Sequence, residues 1–313
     1  MIVTAATGFV GKALTDRLHN EARFVVSAAV RFESKVIDEG IKQCVLDDFV
    51  PGTDWGGVAL RGVEVVVHLA ARVHLMRDTA ADPLKEFLHI NTDGTLNLAR
   101  QAAAAGVDRF IYLSSIKVNG EATHHGYPFT HNDLAAPQDP YGISKHKAEV
   151  GLRKIARTTG MQVVIIRPTL VYGKGAKGNF KSLMKLVARG LPLPLASIDN
   201  RRSLVGIDNL VDFIVMCLEH PDGANETFLV SDGEDLSTPD LIRRMARAIN
   251  RPARLLPMPK SLIMAGAIIL GKREMAQRLC GSLQVDISKS RTLLGWNPPV
   301  SVDEGLRRVV GRD

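Results

Sequence analysis

Four short runs rich in β-branched residues, FVVSAAV from position 24, VEVVVHLA from 63, RFIYLSS from 109 and MQVVIIRP from 161, alternate with helical segments in the first part of the chain. Each run is nearly continuous in apolar residues. That pattern predicts strands buried on both faces, as in a parallel sheet covered by helices. One connecting helix is expected from about Pro83 to Ala105, stopped by Gly106, and another from Tyr141 to about Thr159, stopped by Gly160. Glycine just past a helix end accepts the left-handed backbone that such a stop uses. Repeated strand-then-helix order implies right-handed crossovers and an α/β doubly wound sheet, with ligands at the carboxyl ends of the strands. Ala70 and Ala71 end one run, and Ser114 and Ser115 end another.

After Pro168 the texture changes, because LVYGKGAKGNF and GLPLPLAS are rich in glycine and proline. The predicted division is a dinucleotide-binding Rossmann unit over 1–168 and a smaller C-terminal α/β substrate unit over 169–313. Part of the latter, about 204–230, is expected to return to the first unit.

The first turn reads TAATGFVGKAL from Thr4, directly after a strand and opening a helix. Gly8 and Gly11 are three apart there, as a pyrophosphate-binding loop requires: glycine lets the backbone approach the ligand, and the helix N-terminus supplies N–H donors. Ala5 stands where the pattern expects a first glycine. If its backbone is left-handed, alanine costs on the order of 1 kcal/mol. About 20 residues on, where an acid would hold the ribose of NAD, the sequence has Arg31, which suits the 2′-phosphate of NADP; Glu33 nearby keeps NAD open. Asp48 is a candidate for the adenine amino group.

In DPYGISKHKAE, Tyr141 lies four residues before Lys145 at the start of a helix, so the two heads share one face. A desolvated ammonium beside the phenol, aided by an oxidised nicotinamide, is expected to lower its pKa from about 10 towards about 7, a shift of roughly 4 kcal/mol. Tyr141 would then exchange protons near neutrality.

The formal charge of +7 invites nucleic acid, but Lys and Arg are scattered among acids and aromatic residues make up only 5% of the chain. No basic run interleaved with stacking residues is present, so nucleic acid is not expected as a partner. Three widely spaced cysteines, Cys44, Cys217 and Cys280, argue against a disulfide framework. The chain enters its first strand at once, and a cytoplasmic location without an integral membrane segment is expected. The apolar run LIMAGAIIL from Leu262 falls short of the ~20 residues that cross a bilayer. It reads as a buried helix in preference to one lying on a membrane surface. Histidines, including His68, His74, His124 and His125, have no spacing with Cys or acids that suits a metal.

Together TAATGFVG at 4–11, HLAA at 68–71, NTDGT at 91–95, LSSIKVNG at 113–120, YGISK at 141–145 and Arg167-Pro168 resemble the extended short-chain dehydrogenase/reductase family, the nucleotide-sugar epimerases, dehydratases and reductases. The resemblance implies Tyr141, Lys145 and Ser115 as catalytic residues, with Ser115 on the sugar oxygen and Asn91 as structural support. It implies NADP or NAD at Gly8, Phe9, Val10, Gly11, Arg31, Asp48, Ala70, Ala71, Tyr141, Lys145 and Pro168. A UDP-sugar would meet Ser115, Asn179 and Arg202, with loop lysines Lys174 and Lys177 more simply solvated. Family dehydratases carry an acid pair where this chain has Ile116 and Lys117, so 4,6-dehydration is not expected. The reading preferred here is reduction of a UDP-4-keto-6-deoxy-N-acetylhexosamine; the alternatives are UDP-hexose 4-epimerisation and a non-catalytic NADP-binding regulator. A homodimer through the helix bearing Tyr141 is implied by analogy.

Overall fold

Neighbouring residues in the apolar strands feed two different cores, and this builds the molecule. A computed structural model of the chain describes residues 1–46, 48–56, 59–73, 81–176 and 178–311, and for Asn179 the backbone alone. Strands β1 (Ile2–Thr4), β2 (Ser27–Val30), β3 (Lys42–Val45), β4 (Val65–His68), β5 (Arg109–Leu113) and β6 (Gln162–Pro168) are parallel. Val3, Val67, Ile111 and Val164 point to one core. Their neighbours Ile2, Val66, Phe110 and Ile165 point to the other. Side chains alternate across a strand, so a strand apolar at every position must be covered on both sides.

Helix α1 (Phe9–His19) lies over the first core; α3 (Thr95–Ala104) and α4 (Pro140–Thr159) lie over the second. The segment expected to be one helix up to Ala105 is continuous but irregular: α2 (Pro83–Phe87) runs through a π-helical stretch, Leu88–Gly94, into α3. A Cβ at Gly94 would lie 2.6 Å from the Phe49 carbonyl oxygen, so the wide turn sits where another backbone approaches closely. Gly106 and Gly160 follow α3 and α4 with φ of 79° and 77°.

After β6 the chain leaves this sheet. Strands β7 (Leu170–Tyr172) and β8 (Arg202–Gly206) form a small sheet, separated in sequence by α5 (Asn179–Ala188). Helix α6 (Ile207–Glu219) returns to pack on α1, and β9 (Thr227–Val230) pairs in parallel with β6. The completed order is β3-β2-β1-β4-β5-β6-β9, with the short strand β10 (Asp235–Leu236) on the edge of the small sheet. Because β2 and β4 flank β1, the order reverses at β1, and the carboxyl ends of β1 and β4 bound the crevice where ligands of such sheets sit.

Helices α7 (Thr238–Ala248), α8 (Lys260–Ile269), α9 (Arg273–Cys280), α10 (Ser288–Leu294) and α11 (Val302–Val309) complete the C-terminal part, which holds a third core containing Phe180, Leu204, Ile242, Met245 and Leu306. Here one expectation is corrected. The apolar run at Leu262 forms α8, but no residue of that helix is buried. Ile263 packs against the third core while most of the helix stays outside it.

Candidate active site

Ser114 and Ser115 leave the carboxyl end of β5 in opposite directions. Ser114 is buried and donates to Glu149 at 2.6 Å. Ser115 is extended and caps a 3₁₀ turn, Ile116–Val118, its Oγ accepting from the Lys117 N–H at 3.3 Å. The first turn of α4 packs onto this turn: Asp139 caps the helix by accepting from the Gly142 N–H at 2.7 Å, and a Cβ at Gly142 would lie 2.8 Å from the Lys117 carbonyl oxygen. Glycine at 142 therefore permits the first turn of α4, which carries Tyr141, to press onto the turn that follows Ser115. One turn on, Lys145 is 1% exposed. Its Nζ donates to the Leu113 carbonyl at 2.8 Å, lies 4.6 Å over the Tyr112 ring and is 5.9 Å from the centre of the Tyr141 ring.

The electrostatics of the chain alone are set by burial. Burial brings the Lys145 ammonium down to about 7, against the opposing charge of Glu149. Burial also pushes the Tyr141 phenol up to about 12; the Ser115 hydroxyl acts the other way, and Asp139 adds to the rise. In the chain alone, desolvation of the phenolate outweighs the help that its own groups provide; the shift towards neutrality expected above draws also on an oxidised nicotinamide. Tyr141 stays protonated through neutral pH in the protein's own field.

Behind Lys145 lies a network that the sequence reading missed. Glu149 is fully buried and accepts from Arg167 Nε at 2.9 Å and Nη2 at 2.5 Å, and from Arg153 at 3.0 Å. Arg167 also donates to Asn119 at 2.9 Å. Burial by itself raises the Glu149 carboxyl, but Arg167, Ser114 and Arg153 together hold it below its ordinary value. The signal available was spacing: Glu149 follows Tyr141 and Lys145 at one-turn intervals on α4.

At the other end of the site, Ala5 is left-handed, with φ of 51°. Its carbonyl accepts from the Gly8 N–H at 2.8 Å, and a Cβ at Gly11 would lie only 2.1 Å from that oxygen. Gly8 caps α1 without a side-chain hydrogen bond, so the N–H groups of the first turn, Phe9, Val10 and Gly11, have no partner within the helix. Ala5→Gly is expected to stabilise the protein by about 0.5–1 kcal/mol in chemical denaturation, since the strain relieved exceeds the entropy glycine adds to the unfolded chain.

Thr4 ties the two strands at the crevice together, its hydroxyl meeting His68 Nδ1 at 2.9 Å and accepting from the Ala70 N–H at 3.0 Å. His68 is buried between Thr4 and Thr95, and burial, with Lys145, brings it down to about 3. It is a neutral structural histidine. Ala71 follows at the same rim, partly exposed, and Pro168 is buried at the end of β6. Arg31 is exposed just past β2, and Asp48 is exposed past β3, its carboxylate accepting from the Phe49 N–H at 2.8 Å.

The sequence profile of the NAD dependent epimerase/dehydratase family matches residues 1–231. The chain belongs to this family. It is similar to a UDP-glucose 4-epimerase of Vibrio cholerae, 48% identical over 98% of this chain and 93% of that protein. Among solved structures, a UDP-glucuronic acid 4-epimerase from Bacillus cereus in complex with NAD superposes with a TM-score of 0.79 at 22% identity, covering 99% and 97% of the two chains. RMD from Pseudomonas aeruginosa complexed with NADPH gives 0.75 at 24% identity, covering 99% and 97%. These two likenesses show the fold.

On the sugar side, Asn91 braces the site of this family member: its side chain accepts from the Arg72 N–H at 2.7 Å and donates to the Arg72 carbonyl and to Ser144, both at 3.0 Å. Lys117 is paired with Asp139 and, at 3.0 Å, with Glu121, so the position where dehydratases place an acid holds a cation bound to two acids. Arg202 opens β8 and is held by the carbonyls of Arg278 at 2.9 Å and Gly281 at 3.0 Å. Burial lowers its pKa, as does Arg278, while Glu121 raises it, which links Arg202 electrostatically to the segment after Ser115. Asn179 opens α5, Lys174 is exposed, as are His124 and His125, and His74 and Lys177 lie outside the described residues. Among the described residues no cluster of His, Cys, Asp or Glu could hold a metal ion.

Proposed function

We propose that this nucleotide-sugar enzyme oxidises and reduces C4 of a UDP-sugar, with Tyr141, Ser115 and Lys145 as its catalytic residues. The observation that carries this reading is the buried Lys145 head, 5.9 Å from the centre of the Tyr141 ring, on a helix whose first turn packs onto the turn after Ser115. In the reducing direction Tyr141 donates its proton to the C4 oxygen; in the oxidising direction the same oxygen returns a proton to it. Ser115 orients that oxygen by hydrogen bonding, and Lys145 favours the phenolate that forms transiently. NAD or NADP, when bound, would supply the acceptor or donor for the C4 hydride.

The residues present fit such a cofactor. The uncapped start of α1 would hold the pyrophosphate, with Gly8, Phe9, Val10 and Gly11 supplying backbone donors. Exposed Arg31 suits a 2′-phosphate, Asp48 would meet the adenine, and Ala70, Ala71 and Pro168 would line the crevice beside Tyr141 and Lys145.

Within this chemistry, 4-epimerisation of a UDP-hexose is supported by the Vibrio cholerae relative, similar over nearly the whole chain. Reduction of a UDP-4-keto-6-deoxy-N-acetylhexosamine, the reading preferred from sequence, is supported by Ala5: a strained loop that holds the dinucleotide less firmly suits an enzyme that exchanges it every turnover. The purified protein decides between them. Interconversion of UDP-glucose and UDP-galactose without added nicotinamide supports the epimerase; stoichiometric consumption of NADPH or NADH with a 4-keto-6-deoxy sugar supports the reductase. Neither activity, with cofactor bound, would sink both.

Arg202 and Asn179 are proposed to meet the UDP diphosphate. Arg202→Ala is expected to raise KM for the UDP-sugar about tenfold or more with kcat changed far less, measured in steady-state kinetics. The proposal includes a cytoplasmic location and a homodimer packed through the outward face of α4, where Val150 is 51% exposed.

A further inference from the structure

Helix α8 is the most apolar helix on the outside of the molecule. Leu262 is 59% exposed, Ile268 57%, Ile269 84% and Leu270 71%. Leu262, Ala265 and Ile269 are spaced three and four apart and so share the outward side, while Ile263 packs inward against the third core. The neighbouring helix α9 anchors this projection through buried Ala276 and Cys280 and adds Met275, 45% exposed. Isolated exposed apolar residues are ordinary, but a contiguous group of large ones marks a surface that meets something.

What it meets is indicated by charge. Residues 251–278 contain six Lys and Arg against the single acid Glu274, leaving +5 of the whole chain's +7. Five of the six cations are exposed: Arg251, Arg254, Lys260, Lys272 and Arg273. Lys260 begins α8, and Lys272 and Arg273 follow its end, so cations bracket the apolar side. A second copy of this chain is a poor occupant. A two-fold contact sets the same patch against itself and would bring these like charges together. An anionic lipid surface satisfies both features, since acyl chains accept the apolar side chains and headgroups accept the cations. At ten residues α8 is too short to span a bilayer, and no helix among the described residues is long and apolar enough to do so.

We propose that α8 and its flanking cations form a docking element that seats the protein on an anionic membrane surface, with α8 lying in the headgroup region. The element is independent of the hydride chemistry and uses none of the residues assigned to it.

The test is co-sedimentation of the full-length protein with vesicles of phosphatidylcholine alone or containing about one-third phosphatidylglycerol. Binding is expected only to the anionic vesicles, weakening about tenfold or more between roughly 0.1 and 0.5 M salt. Ile269→Asp/Leu270→Asp and Lys272→Glu/Arg273→Glu are each expected to lose at least about tenfold in vesicle affinity, with unchanged circular dichroism and unchanged turnover of the soluble substrate. The charge-reversal pair lies wholly on the surface and serves if the apolar pair misfolds. Equal binding to both vesicle types, no binding, or binding untouched by these substitutions would overturn the proposal. So would sedimentation velocity showing a self-association that Ile269→Asp/Leu270→Asp abolishes.

Discussion

Tyr141→Phe is expected to lower kcat by about 10²–10⁴-fold, the usual contribution of a positioned acid or base, while KM for the UDP-sugar stays within a few-fold. The substitution removes one oxygen and leaves the ring, whose edge contact with Phe87 at 6.2 Å keeps its place. Cofactor binding, followed by fluorescence of the reduced dinucleotide, should persist. A variant that retains more than about a tenth of the wild-type rate would remove Tyr141 from the proton transfer. Since the chain's own field holds the phenol at about 12, Tyr141 is primed as a donor, which is the state that reduction of a ketone consumes. Oxidation needs additional stabilisation of the phenolate, so the two directions should differ in their pH dependence.

The second large effect is expected at Glu149. Truncation to alanine leaves the Arg167 guanidinium, 4% exposed, without its carboxylate partner. Breaking a buried pair in this way costs about 3–5 kcal/mol, read as a shift in the denaturation midpoint. The carboxyl is held below its unfolded value, so the pair's contribution is fully present above the unfolded pKa and fades as pH falls through the lower folded one. The gap between wild type and variant should therefore close in acid. Glu149→Gln keeps the shape and removes the charge that supports the Lys145 ammonium. Its kcat/KM profile should lose activity on the alkaline side at lower pH than wild type, a change that a purely structural role for Glu149 would not produce.

The parallel sheet was legible because its cause is local. Strands such as VEVVVHLA are apolar at consecutive positions, and only a two-sided burial accommodates that. The stops at Gly106 and Gly160 were legible for the same reason, each needing only a left-handed residue after a helix. Less visible was the π-helical turn from Leu88 to Gly94, which depends on the approach of the Phe49 carbonyl, a contact between residues far apart in sequence. Helix α8 was misread because apolarity alone does not say which side of a helix another element covers. Of the site, the motif positions were readable; the pairing of Glu149 with Arg167 and the pKa directions were not, because they follow from burial and from contacts between residues far apart in the chain.

By itself the sequence determined which of these apolar runs form strands, where the glycine loop turns and that Tyr141 and Lys145 share a helical face, since these depend on periodicity and backbone sterics along the chain. The tertiary structure alone decided that Gly142 lets α4 press onto the turn after Ser115, that Lys145 loses its water and that α8 faces outward. Desolvation is a property of the surroundings a residue acquires on folding, and no spacing within the chain encodes it directly.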